Sequence, residues 1–106
     1  MYEIKYLPVA IKDLKETVDY ITIILCNKKA ALDFIDALDH SVSRLHSFPY
    51  SCRLYQSQSL LDLEYRVLPV KNYLLFYVIL DNVVEIRRIV YARVNLDAML
   101  CTQKKQ

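Results

Sequence analysis

The chain has 106 residues, 55% of them hydrophobic, and not one glycine, which is enough for one domain with a real core and too little for two. Without glycine a Walker or Rossmann phosphate loop is excluded, because both need residues lacking a Cβ where the backbone approaches the phosphates. The formal net charge of +2 is too small to imply nucleic-acid binding, but its distribution is uneven: residues 1–50 carry six Lys or Arg against seven Asp or Glu, and residues 51–106 carry eight against five.

No run of about 18 apolar residues is free of charge, and "MYEIKYLPVAIKDL" has neither a basic leader nor a small-residue cleavage site, so a soluble, unexported protein with no membrane association is expected. Cys26, Cys52 and Cys101 are odd in number and form no CxxC pair. That signals neither a disulfide framework nor a zinc site, and suits inert thiols in a reducing cytoplasm.

In chain order, "YEIKYL" alternates Tyr2, Ile4 and Tyr6 against Glu3, Lys5 and Leu7, the period of a half-buried strand. Pro8 ends it and can open a helix, since a first-turn residue loses nothing by lacking an N–H. Ile11, Leu14, Val18, Ile21 and Leu25 then recur at steps of three and four, predicting an amphipathic helix to about Leu25. Asn27 is the expected N-cap of a second helix, whose apolar series runs Ala31, Phe34, Ile35, Leu38, Val42 and Leu45 and stops before Pro49. Two helices so closely joined should form an antiparallel hairpin with one joint apolar face.

Residues 47–61 lack a sustained period and read as loop. "LEYRVLPV" alternates again, with Pro69 restricting that strand to an edge or an ending. "YLLFYVIL" is apolar on both faces and suits a central strand covered on both sides. Asp81 and Asn82 make a turn, and "VVEIRRIVYAR" returns as its partner. The expected fold is α+β, in the order β-α-α-β-β-β, with a helical hairpin packed on one face of an antiparallel sheet. The domain should span residues 1–98, with 99–106 as a tail.

Conventional chemistry finds little support. His40 and His46 are the only histidines and have no third ligand near them in sequence, so no metal site is expected, nor any cofactor. No Ser, Cys or Thr stands in a nucleophile motif. Asp33, Asp36 and Asp39 form a solvated acidic stripe on the second helix. The arginines of the last strand are more informative. Strict alternation puts Glu85, Arg87, Ile89, Tyr91 and Arg93 on one face and Val84, Ile86, Arg88, Val90 and Ala92 on the other. The second face, apolar except for Arg88, should lie under the helices, which requires Arg88 to be paired or to reach the edge along its stem. The first face, with Arg66 on the neighbouring strand, offers arginines and tyrosines to an acidic peptide or a phosphate backbone. Pairing of Glu85 with Arg87 on a merely solvated face would account for the same pattern.

The segments "LPVAIKDLKETVDYI", "FIDALDHSVSRLHSFPYSCR" and "YRVLPVKNYLLFYVILDNVVEIRRIVYARVN", in this order, resemble the RelE/ParE superfamily of type II toxin-antitoxin toxins over about residues 2–98. The most specific part is the hairpin pattern of Tyr65, Arg66, Asn72, Tyr73, Phe76, Tyr77, Val84, Ile86 and Arg93. RelE-like members cut messenger RNA on the ribosome, with cations on the scissile phosphate and a group to move the 2′-hydroxyl proton. For that activity the resemblance implies Arg66 and Arg93, with Tyr73 or Tyr91 near the hydroxyl. The other basic positions of that set fall on Leu68 and Leu74, and no Tyr or His follows Tyr91. ParE-like members are growth-inhibiting poisons of DNA gyrase, associated with plasmid stabilisation, that act by binding. Their long hairpin, closing "FP" and following Arg match Phe48, Pro49 and Arg53, so the resemblance is nearer to this branch. It implies a cognate antitoxin with a disordered, acidic and apolar C-terminal segment that folds on contact. That segment should cover the basic sheet face or the groove beside the hairpin. Arg53, Arg66, Lys71, Arg87, Tyr91 and Arg93 are the expected antitoxin- or target-binding residues. The family usually has Gly before the Asn-Tyr pair; Lys71 stands there in this chain, so that turn should avoid positive φ or differ in shape. Homodimerisation, through strand edges or the helices, stays open beside hetero-oligomers with the antitoxin.

Overall fold

The structure, a computed structural model, describes residues 1–55 and 63–92. Tail residues 99–106 and Arg93 lie outside that set. Strand β1 (Glu3–Tyr6) leads through an extended Leu7 into helix α1 (Pro8–Asp19), with proline in the first turn as its fixed φ favours. The helix does not stop at Asp19 but widens into a π turn, Tyr20–Ile24, in which the Leu25 N–H reaches the Tyr20 carbonyl at 3.1 Å. Ile21, Thr22, Ile23 and Ile24 are four β-branched residues in succession, and their crowding against the preceding turn favours the wider ladder. Helix α2 (Lys28–Ser43) starts where expected, the Asn27 side-chain oxygen accepting from the Ala30 N–H at 3.0 Å. A short 3₁₀ turn, Arg44–His46, ends it.

Strands β2 (Arg66–Val70), β3 (Tyr73–Leu80) and β4 (Val83–Tyr91) complete one sheet in the order β1-β4-β3-β2. β2 begins three residues later than the alternation from Leu63 suggests, and it includes Pro69. It is an edge strand, as that proline requires. Its outward side is blunted, since the Val67 N–H bonds the Arg53 carbonyl at 3.1 Å and Pro69 has no N–H to offer. The sheet is mixed rather than antiparallel throughout, because β1 runs parallel to β4, pairing Glu3 with Val83 through Tyr6 with Ile86. The helical hairpin brings the chain back to the start of β1, where the Tyr2 N–H donates to the His46 carbonyl at 2.8 Å, and β2 then runs in the same direction as β1.

β3 is an inner strand with a core on each face, as its double-sided apolar run indicates. Leu75 and Tyr77 pack under the helices with Phe34, Leu38 and Leu45, while Phe76 packs on the far face with Val67, Val90, Tyr55 and Tyr65. The buried Tyr77 hydroxyl donates to the Pro49 carbonyl at 2.6 Å, tying the segment after α2 to the centre of the sheet.

In β4 strict alternation fails. Ile86 pairs with Tyr77 and Arg88 with Phe76, leaving Arg87 as an extra, bulged residue. The parity therefore inverts beyond it: Ile89 joins Val84 and Ile86 in the core under the helices, and Val90 turns to the far core. The expected grouping of Ile89 and Tyr91 with Glu85 and Arg87, and of Val90 with Val84 and Ile86, is corrected accordingly. Arg88 is paired, as its position demands. Its Nε and Nη2 donate to the Asp13 carboxylate of α1 at 2.8 and 3.2 Å, and the Ile89 backbone N–H donates to the same carboxylate at 3.0 Å.

The turn before Asn72 also differs from expectation. Lys71 takes φ 56°, so the left-handed conformation is kept and borne by a lysine.

Two substitutions test this framework. Asp13→Ala should lower the unfolding free energy by about 2–3 kcal/mol, because it orphans both a mostly buried guanidinium and a strand N–H; urea denaturation measures it. Tyr77→Phe should cost about 1–2 kcal/mol by leaving the Pro49 carbonyl unsatisfied. Burial, followed by its neighbour Cys52, raises the Tyr77 pKa above its ordinary 10.0. Below pH 10 its contribution is fully present. Above it the unfolded chain releases the proton while the folded chain holds it, so stability should fall as pH rises. That alkaline fall should be shallower in Tyr77→Phe.

Candidate functional site

The sequence-derived site residues do not converge on one place. At one end of the sheet, Arg66 is half-buried, donates to the Cys52 carbonyl at 2.7 Å and lies over the Tyr50 ring at 4.9 Å from its centroid. Exposed Arg53 lies beside it at the β2 edge, held by its backbone carbonyl. Arg87 lies on the far sheet face, donating to Glu85 at 2.6 Å with its guanidinium 5.9 Å from the Tyr65 ring centroid. The far face therefore has the internal Glu85–Arg87 pairing that alternation alone left open, and it is partly roofed by Tyr55 and Tyr65.

Lys71, Tyr73 and Tyr91 do come together, at the opposite end, in a groove of about 850 Å³ between the helices and the ends of β3 and β4. Arg66 pairs with Tyr77 and Val70 with Tyr73, so four strand residues, roughly 13 Å, separate Arg66 from the two tyrosines along the sheet. Arg66 is held on the Cys52 carbonyl and the Tyr50 ring and does not line that groove. Among the described candidates, the cation and the hydroxyl of a ribonuclease are not assembled around one reacting group.

The groove is built by three local features. Ala30 at the start of α2 leaves space that a larger side chain would fill. The π turn swings Tyr20 and Leu25 to the rim, where they are 49% and 54% exposed. Phe34 and Ile89, both buried, form the floor. Tyr73 links floor to rim, with its ring 5.2 Å from Phe34 and 5.5 Å from Tyr91. Its pKa is raised, first by burial and then by the neighbouring Tyr20 and Tyr91. Tyr20, Leu25 and Phe34 were not singled out from the sequence as site residues. The exposed apolar run from Ile23 to Leu25 was the signal, because such residues at a helix end have nothing local to cover them.

The histidines are structural. His46 Nδ1 is 2.8 Å from the Tyr2 carbonyl and His40 Nδ1 is 3.1 Å from the Asp36 carbonyl. Among the described residues no group of three His, Cys, Asp or Glu could hold a metal ion, Cys26 and Cys52 are free thiols, and no helix is long and apolar enough to cross a membrane.

This architecture has a counterpart among solved structures. A chain described as the chromosomal ParDE TA system from P. aeruginosa superposes with a TM-score of 0.70 at 18% identity, covering 88% of this chain and 98% of that one. No curated protein sequence matches. The model of the family described as ParE toxin of type II toxin-antitoxin system, parDE, matches residues 4–96. Spanning both helices and all four strands, that match shows that the chain belongs to the ParE toxin family of type II toxin-antitoxin systems.

Proposed function

We propose that this ParE-family toxin acts in the cytoplasm by binding DNA gyrase and stalling it on cleaved DNA, and that a cognate antitoxin neutralises it by seating a helical segment in the groove between the helical hairpin and the β3–β4 ends. The observation that carries this reading is the groove itself, with an apolar floor of Phe34 and Ile89 and an exposed rim of Tyr20, Leu25 and Tyr91. Such a surface suits the apolar face of an amphipathic helix, whose anchors recur at i, i+3, i+4 and i+7. Binding rather than catalysis also accords with the 13 Å scale of separation between Arg66 and the tyrosines, estimated from strand rise. Arg87, engaged with Glu85, and Arg53 at the β2 edge are the residues through which gyrase contacts are proposed.

Purified protein at micromolar concentration should reduce gyrase supercoiling and raise the level of cleaved complexes. If both are unaffected while primer extension on translated messages shows A-site cuts, the protein is a ribosome-dependent endoribonuclease instead. The partner is expected to be a small acidic protein encoded by the adjoining reading frame. Leu25→Glu, at an exposed rim position, should weaken its binding by more than about tenfold without loss of folding, since it puts a charge into an apolar contact. Arg87→Glu probes the other sheet face; if only that exchange weakens the complex, the antitoxin docks there and not in the groove.

A further inference from the structure

Among the described residues of this glycine-free chain, three hold a left-handed backbone: Cys26 at φ 51°, Lys71 at 56° and Asp81 at 54°. For Asp81 this is an accepted conformation, since a short polar side chain can bond locally. Cys26 ends the π turn, and its thiol lies 3.4 Å from the Ile23 carbonyl. Lysine gains nothing comparable. Its Cβ crowds the backbone as any other would, and among the described residues its ammonium makes neither an ion pair nor a hydrogen bond.

What surrounds Lys71 accounts for a lysine where glycine would fit better. It lines the groove beside Asn72, Tyr73 and Tyr91, and every other charged residue lining that groove is engaged. Asp13 holds Arg88, Glu16 pairs with Lys12 at 3.0 Å, and Asp33 pairs with Lys29 at 3.2 Å. Lys71 is thus the one uncommitted charge at an apolar and aromatic cleft, among the described residues. We propose that Lys71 is a partner-binding residue, whose ammonium receives a carboxylate from an acidic, apolar-faced helical segment seated in the groove. This rests on the antitoxin reading above. A phosphate backbone is the poorer occupant, because it has no apolar face to set against the cleft's floor of Phe34 and Ile89. The backbone strain at Lys71 is then retained for the charge it presents.

The test compares Lys71→Gly, Lys71→Met and Lys71→Arg in the full chain, measuring the melting temperature alone and the dissociation constant with the adjoining-frame protein. Lys71→Gly should raise Tm by about 2–5 °C and yet weaken the complex about tenfold. Lys71→Met should weaken it similarly and flatten its salt dependence, while Lys71→Arg should stay close to the unsubstituted chain. A lysine that serves only the turn gives a different pattern, with Lys71→Gly raising Tm and leaving affinity unchanged or improved; that result overturns the proposal while the antitoxin reading stands. If the unsubstituted chain forms no complex with that protein, both fall. If single-stranded DNA of mixed sequence loses affinity on Lys71→Met and the acidic protein does not, the ligand is a phosphate and the carboxylate assignment is overturned.

Discussion

One carboxylate makes the polar tie between α1 and the last strand, over the apolar core that packs both helices on the sheet. Parallel pairing of β1 with β4 ends at Tyr6 and Ile86, with the Leu7 N–H taking the Ile86 carbonyl at 3.0 Å, and β4 continues to Tyr91 with its outer edge uncovered by any strand among the described residues. Asp13, in the second turn of α1, meets that edge. It accepts from the Ile89 N–H and from two guanidinium nitrogens of Arg88, using both oxygens of the carboxylate. The helix is tied to β4 just beyond the bulge at Arg87, and Arg88 is neutralised beside the groove.

The two ends of the sheet have different chemistry as a result. At one end the Arg66 guanidinium is occupied with the fold, on a carbonyl and on a tyrosine ring, and Tyr77 anchors the Pro49 segment beside it. Around Lys71 the side chains face outward onto a cleft with an apolar floor and a hydroxyl-bearing rim. The first arrangement spends charge on internal structure. The second leaves one charge and several aromatic surfaces exposed at the cleft.

Much of the fold was legible in local pattern. The 3.6-residue period of both helices, the Asn27 cap, the two-sided core strand and the edge position of the proline strand all follow from short-range rules that leave few alternatives. The candidate site was less legible. Lys71, Tyr73 and Tyr91 belong to one cleft, but Arg66, Arg53 and Arg87 are elsewhere, and Tyr20, Leu25 and Phe34 were read only as members of helices. A cleft joins residues distant in sequence, and no periodicity records which helix end will hang over which strand end.

The sequence by itself determined the element order, the two-faced core and the need for Arg88 to find a partner, because each depends on spacing within one segment and on the cost of burying an unpaired charge. Only the tertiary structure decided that β1 runs parallel to β4, that Arg87 bulges and inverts the faces beyond it, and that Lys71 keeps a left-handed turn. Each of those is a contest between a local preference and a long-range contact. Strict alternation yields at Arg87, next to the point where α1 docks through Asp13; at Lys71 the steric preference of a side-chain-bearing residue yields to the closure of the β2–β3 hairpin.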